Sequence, residues 1–362
     1  MAVTGAGAAG AGVTGAGAAG AGVTGAGMAA RVRLAVLPTP LVLAPRLGGA
    51  VGADALYVKR DDLTGFALAG NKARPLEFLL AAALGEGADT LVTGGAAGSN
   101  FCAAAAAAAA RAGLRCELVI AGHPGPEGAA LALARSWGAA IRWTGVPERD
   151  SVDARLPAVA AELAAAGRRP YLMPRGGASG LGAVGYALAA FEVREQLAAH
   201  GIDSARVVVA AGSGGTLAGL VAGNVLAGRP LTLVGAAVSR PPDETARRVL
   251  GLARECLRVL AGSGLPGTAS GAEAGPDDVV VVDARGPGHG RASPEGIAAA
   301  EQAMRTEGLM VDQVYTAKAL ALVSRYAAGG TVIFWHTGGQ LDVVGMAGEA
   351  LSAEALSAEV GR

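Results

Sequence analysis

The chain has 362 residues, 52% of them hydrophobic and 17% charged, with 30 basic and 30 acidic side chains in balance, enough for a sizeable core in two domains or one large one. The zero net charge argues against nucleic acid as a partner, and the longest apolar run, at 103–110, is too short to cross a bilayer. Three cysteines without CxxC spacing fit a reducing, cytoplasmic compartment, and four histidines without zinc-ligand spacing predict no metal site.

The chain opens on a repeat. VTGAGAAGAG at 3–12 recurs at 13–22, and a third copy begins at Val23. Side chains this small bury almost nothing, so disorder is expected over 1–28. The segment lacks the basic start and aliphatic core of a signal peptide, and Met28 offers an alternative start. From Leu37 short apolar strands alternate with amphipathic or alanine-rich helices. A strand is predicted at 56–59, a helix at 72–84, and a strand at 90–93 that runs into glycines. Helix 99–112, strand 116–121, helix 127–137, strand 140–143 and helix 154–166 follow. Helix 183–198, strand 206–210, helix 216–226, strand 231–236, helix 245–261 and strand 279–282 continue the pattern. Helices 294–307 and 317–328 precede a last strand at 331–335. This alternation predicts an α/β fold with parallel sheets covered on both faces. Residues 262–278, rich in Gly, Ser, Pro and Ala, read as a flexible surface loop.

Several turns carry residues suited to chemistry. Lys72 follows a glycine turn in GNKARPLEF (70–78) and opens a helix. A lysine amine forms a Schiff base with an aldehyde cofactor when its surroundings lower its pKa, and a helix amino terminus disfavours the ammonium. Taken alone, Lys72 also fits a surface lysine in a first helical turn. AGSGGTLAG (211–219) follows a valine-rich strand and offers backbone N–H groups to a phosphate, with Ser213 and Thr216 adding hydroxyls. It lacks the Lys-Ser/Thr ending of a P-loop, and it also fits a tight turn. TGGAAGSN (93–100) places Ser99 and Asn100 at a helix start, where they cap the helix or help bind a carboxylate. FWHTGG (334–339) and VYTAK (314–318) complete the set.

In this order, from about Leu37 to Gly345, these segments resemble the 1-aminocyclopropane-1-carboxylate (ACC) deaminase and D-cysteine desulfhydrase family. Its members are pyridoxal 5′-phosphate (PLP) enzymes of the tryptophan-synthase-β fold type. The resemblance is carried by Arg60 to Phe78, Gly94-Gly95 with Ser99-Asn100, Gly176-Gly177 with Leu181-Gly182 and Gly185-Tyr186, and Gly212 to Thr216. Pro294-Glu295-Gly296, Glu307-Gly308, Val314-Tyr315-Thr316 and His336 to Gly339 follow in the family's order.

The resemblance implies two three-layer αβα domains with PLP in the cleft between them. The large domain would hold 29–85 and 188–350, the small one 86–187, with 351–362 a tail. Lys72 would carry the cofactor and act as the base at Cα, with Asn71 beside it. Gly212, Ser213, Gly214, Gly215 and Thr216 would cradle the phosphate. Ser99, Asn100 and Phe101 would meet the substrate, with Ser99 and Tyr315 catalytic, Thr316 beside the substrate, and Thr337 facing the pyridine nitrogen. A homodimer acting on a small amino acid is implied, by α,β-elimination to a 2-oxo acid and ammonia. ACC deamination, another deaminase or racemase activity, and a catalytically silent PLP-binding protein are the alternatives. The chain departs from the family pattern at Gly98 and Phe101, at Ala317, and at His289-Gly290, where a Tyr-Gly pair is usual. ACC deaminases place Glu after the active-site Tyr and Leu before the final Gly-Gly, positions held here by Thr316 and Thr337. A hydroxyl in place of a carboxylate by the pyridine nitrogen gives a weaker electron sink. That favours desulfhydrase-like elimination over opening of a cyclopropane ring.

Overall fold

The computed structural model describes residues 30–262, 271–341 and 343. The repeat expected to be disordered and the tail expected at 351–362 lie outside them, as does much of the expected surface loop. The described end of that loop is ordered against the body: Ala274 is buried, and its carbonyl accepts from Arg254 Nε at 3.0 Å.

Ten strands among the described residues form two sheets. The larger runs β1 (Leu41–Leu43), β2 (Ala55–Arg60), β10 (Thr331–His336), β7 (Ala205–Ala211), β8 (Leu231–Ala237), β9 (Val280–Asp283). Only the β1–β2 pair in it is antiparallel. The smaller, all parallel, runs β5 (Ala140–Trp143), β4 (Arg115–Ile120), β3 (Thr90–Gly95), β6 (Pro170–Leu172).

The strand sequences explain the layering. Successive side chains point to opposite faces, so an unbroken valine run feeds two cores at once. Val207 and Val209 of β7 join the core under α6 (Gly180–Ala199), α7 (Gly215–Leu226) and α8 (Pro242–Ala261). Val208 and Ala210 join the opposite core with α1 (Pro45–Val51), α9 (Pro294–Glu307) and α10 (Thr316–Ala321). In the smaller sheet, Leu91, Leu118 and Ile120 pack on α2 (Ala73–Gly85), α3 (Asn100–Ala112) and α4 (Ala129–Ser136). Val92 and Val119 meet α5 (Asp150–Ala165) on the other face. Each sheet is therefore the middle of three layers, as expected.

Three elements went unpredicted: β1, α1 and β6. The two strands are three residues long and carry no alternation of their own. Helices α5, α6 and α8 start earlier than the periodicity suggested, at Asp150, Gly180 and Pro242. The helix expected at 317–328 is broken; α10 ends at Ala321, and a 3-10 turn covers Val323–Tyr326. The domain boundary expected at 187/188 falls inside α6. That helix is continuous and packs closely on α7, where a Cβ on Gly219 or Gly223 would lie 2.2 or 2.3 Å from the carbonyl oxygens of Ala183 and Ala187.

The Arg-Asp-Asp segment after β2 is a structural hub. Asp61 is fully buried and accepts from Thr39 Oγ1 at 2.7 Å, Arg74 Nη2 at 2.8 Å, Tyr186 OH at 2.6 Å and Trp335 Nε1 at 3.0 Å. Arg74 also reaches Glu192, whose carboxylate takes the ammonium of buried Lys59. Burial alone would raise the Asp61 carboxyl, but Arg74 and the Tyr186 and Thr39 hydroxyls outweigh it and hold it at about 2.

Candidate active site

A cavity of about 360 Å³ opens where three parallel strands end: Gly95 closes β3, Gly212 follows β7 and Thr337 follows β10. Ligands of α/β proteins bind outside such carboxyl ends, and the volume suits a small cofactor with a small substrate.

The sequence contains three lysines. Lys59 Nζ is bound by Thr39 O, Glu192 and Gln196. Lys318 Nζ donates to Arg285 O and Gly288 O. Lys72 ends a 3-10 turn (Gly70–Lys72), lines the cavity, and has no hydrogen-bond partner for its amine among the described residues. Burial brings that amine down to about 8, with the Asp312 carboxylate opposing. A lysine that faces a cavity and carries a lowered pKa is suited to bonding an aldehyde. Its turn is seated by close backbone approach: Asn71 N–H donates to Thr337 O at 2.7 Å, and a Cβ on Gly70 would lie 2.5 Å from that oxygen.

Two helix starts frame the cavity. Gly212, Ser213, Gly214 and Thr216 line it at the start of α7, and Asn71 Nδ2 donates to Thr216 Oγ1 at 2.9 Å. Gly214 has φ +94, a left-handed conformation that glycine adopts without strain. At the start of α3, Ser99, Asn100 and Phe101 line the cavity. Ser99 Oγ accepts from Cys102 N at 3.3 Å as the N-cap. The Phe101 ring is buried against Gly177, where a Cβ would lie 2.6 Å from it. Tyr315 closes the cavity over Gly212, and Thr337 completes its floor.

Gly215 and Thr316 are not brought to the lining. Gly215 packs on Ala178. Thr316 is fully buried and bonds Asp312 through its hydroxyl. Three charged lining residues had no part in the sequence reading of the site: Arg149, Arg175 and Asp312. Asp312 Oδ1 accepts from the backbone of Val314 at 2.9 Å and Tyr315 at 2.7 Å. An Asp three residues ahead of a candidate tyrosine is a capping signal that could have been read. His289, known from sequence only as a departure, lies with Nε2 3.2 Å from Tyr315 OH.

The residues present fit PLP: one unengaged lysine on the lining, a glycine-rich helix start with backbone donors for a phosphate, and a cavity of matching size. The layered sheets and this site define a PLP-dependent enzyme of the tryptophan-synthase-β fold type. The model of the family "Pyridoxal-phosphate dependent enzyme" matches residues 32–338, and the chain belongs to that family. It is 38% identical over 322 residues to a D-cysteine desulfhydrase of Salmonella paratyphi C (strain RKS4594), covering 85% of this chain and 94% of that protein. A D-cysteine desulfhydrase of Salmonella newport (strain SL254) is 37% identical over the same shares. A solved ACC deaminase homologue superposes with a TM-score of 0.76 at 34% identity, over 85% of this chain and 91% of its own. A solved threonine deaminase, 21% identical over 83% and 92% of the two chains, shares the fold with a TM-score of 0.59.

Proposed function

We propose that this enzyme is a lyase that eliminates across Cα and Cβ of a small amino acid, as a D-cysteine desulfhydrase does. The observation that carries the proposal is Lys72, the one lysine whose amine is unengaged and turned to the cavity. When bound, PLP supplies an electron sink for the carbanion at the substrate's Cα. Asn71 and Thr216, with the backbone of Gly212 to Gly214, would hold its phosphate at the amino end of α7, and Gly215 stays behind the lining. The amino end of α3, with Ser99 and Asn100, holds the substrate carboxylate, and Phe101 keeps that wall dry. Lys72 takes the Cα proton; an amine at about 8 is partly neutral at physiological pH. Tyr315, hydrogen-bonded to His289, is placed to serve the leaving group, and Thr337 would face the pyridine nitrogen. The Cα–H and Cβ–X bonds break, the electron pair of Cβ–X leaves with X, and water hydrolyses the released enamine to a 2-oxo acid and ammonium.

Elimination is favoured over ACC deamination because Thr337 offers a neutral hydroxyl at the floor, while Asp312 is engaged by Val314, Tyr315 and Thr316. A screen of D- and L-amino acids for 2-oxo acid release tests this. Pyruvate is expected from D-cysteine or β-chloro-D-alanine, with negligible 2-oxobutyrate from ACC. Faster release from ACC than from every cysteine analogue would overturn it, and a cofactor band that no amino acid perturbs would favour a silent binding protein. We further propose two domains that divide near residue 175, ahead of continuous α6, rather than at 187. A cytoplasmic homodimer is supported by three free, buried cysteines and by the exposed side chains Val36, Leu63 and Leu68. Sedimentation measures the oligomer.

A further inference from the structure

A cofactor phosphate and a substrate carboxylate do not account for every cation on the cavity lining. In the function proposed above, those two anions have their own sites at the amino ends of α7 and α3. Two guanidinium groups on the lining are left over: Arg149, just ahead of α5, and Arg175, just after β6. Arg149 is half-buried and makes no ion pair or hydrogen bond through its side chain among the described residues. Arg175 binds Asp153 through Nε at 3.2 Å and Nη2 at 2.6 Å, with Asp150 at 3.5 Å, but its Nη1 is buried without a partner. A buried donor left unpaired costs free energy, so Nη1 of Arg175, on the same cavity lining as the unpaired Arg149, suits an acceptor that arrives from outside. The neighbouring cations are otherwise engaged. Arg240 pairs with Glu244 and reaches Gly212 O, and Arg248 donates to Ser213 O. The charges of Arg149 and Arg175 both act on His289, which with Tyr315 lines the same cavity and marks one corner of it. Burial, then Arg149, Lys318, Arg240 and Arg175, bring the His289 imidazole down to about 4. Asp312 also lines the cavity, and its carboxylate accepts from Val314, Tyr315 and Thr316.

We propose that this corner receives the β-substituent of the substrate and that the substituent is an anionic oxoacid group, a sulfonate or a phosphate ester, bound by Arg149 and by Nη1 of Arg175. This rests on the elimination proposed above. The Cβ–S or Cβ–O bond breaks and its electron pair leaves as sulfite or phosphate. The Cα proton passes to Lys72, and water hydrolyses the enamine.

The test compares 3-sulfoalanine and O-phosphoserine with cysteine and β-chloroalanine, each as D and L forms, on the holoenzyme. Two readouts are taken, 2-oxo acid release and calorimetric binding. One anionic substrate is expected to exceed the neutral ones in kcat/KM. Arg149→Met should lower the anionic-to-neutral ratio about 10- to 100-fold, the range for a lost charged hydrogen bond, and Arg149→Lys should recover part of it. Should Arg149→Met not fold, Arg175→Lys reports on the same ratio. Turnover of neutral substrates with no anionic preference would overturn the inference and leave the elimination standing. Tighter, Arg149-dependent binding of anionic amino acids without turnover would overturn the elimination, and with it the departure of the substituent, and leave only an anion-binding corner. Weakened PLP affinity with an unchanged ratio would assign Arg149 to the cofactor phosphate and overturn it. Absence of binding by every amino acid would sink both.

Discussion

Lys72 differs from Lys59 and Lys318 in what its amine lacks. Carbonyls and side chains accept from the other two amines, so neither can attack a cofactor without breaking those bonds. Purified protein should be yellow, and borohydride should fix the cofactor on the peptide that contains Lys72; label on Lys59 or Lys318 would end the assignment. Lys72→Ala should lose the yellow band and nearly all turnover. The lowered pKa makes a second, independent prediction about the apoprotein. The amine titrates at about 8 in the fold and near 10.5 in the unfolded chain, so between those values the unfolded state holds more protons. The lysine therefore costs stability at pH 7, and the cost fades as pH rises from about 8 towards 10.5. Lys72→Met should raise the apoprotein Tm at pH 7, with the gain shrinking above pH 8. No gain at pH 7 would show that the amine is not desolvated.

The amino end of α7 sets how closely a phosphate can approach. A Cβ on Gly214 would make only ordinary contact with Val249 at 3.4 Å, so the constraint there is conformational: φ is +94. A β-branched residue at a left-handed position costs roughly 1–2 kcal/mol or more and would pull the loop towards φ < 0. Gly214→Val is expected to weaken PLP affinity about tenfold or more, with the far-UV circular dichroism retained. Unchanged affinity would mean that the loop is only a turn. The same helix leans on α6 through Gly219 and Gly223, whose missing side chains admit the carbonyls of Ala183 and Ala187. Only the crossing of two helices gives those glycines a purpose.

At the scale of the whole molecule, Asp61 ties together parts of the chain far apart in sequence. Thr39, Arg74, Tyr186 and Trp335 all donate to it, so one carboxylate joins the N-terminal segment, α2, α6 and β10. Arg74 lies two residues beyond Lys72, and the tie fixes the helix that begins next to the lysine. Removing one partner of a buried ion pair leaves its charge uncompensated, at a cost of about 3–5 kcal/mol. Asp61→Ala should lower the urea midpoint accordingly, and a loss under about 1 kcal/mol, the scale of an exposed pair, would show that Glu192 suffices for Arg74. The carboxyl is held at about 2, below its ordinary 3.8. Its contribution is thus full above pH 4 and lost only as pH falls through about 2.

Local sequence was enough for the strand–helix alternation and the two-faced sheets, because an unbroken apolar run such as residues 207–209 has few other places to go. It also marked the turns, since glycines between a strand and a helix restrict what the backbone can do, and the order of its motifs singled out Lys72. Strands β1 and β6 were invisible because three residues hold no periodicity and exist through their partners. Arg149 and Arg175 were invisible for a related reason. Each is an ordinary charged residue in its local setting, and the cavity is the only thing they share. Thr316 shows the reverse: a motif gave it a role, but packing turned its hydroxyl onto Asp312. Backbone pattern is encoded within a few residues, whereas the convergence of side chains depends on contacts across more than two hundred. Which charges face the substrate was therefore left to the packing of the two sheets and their helices.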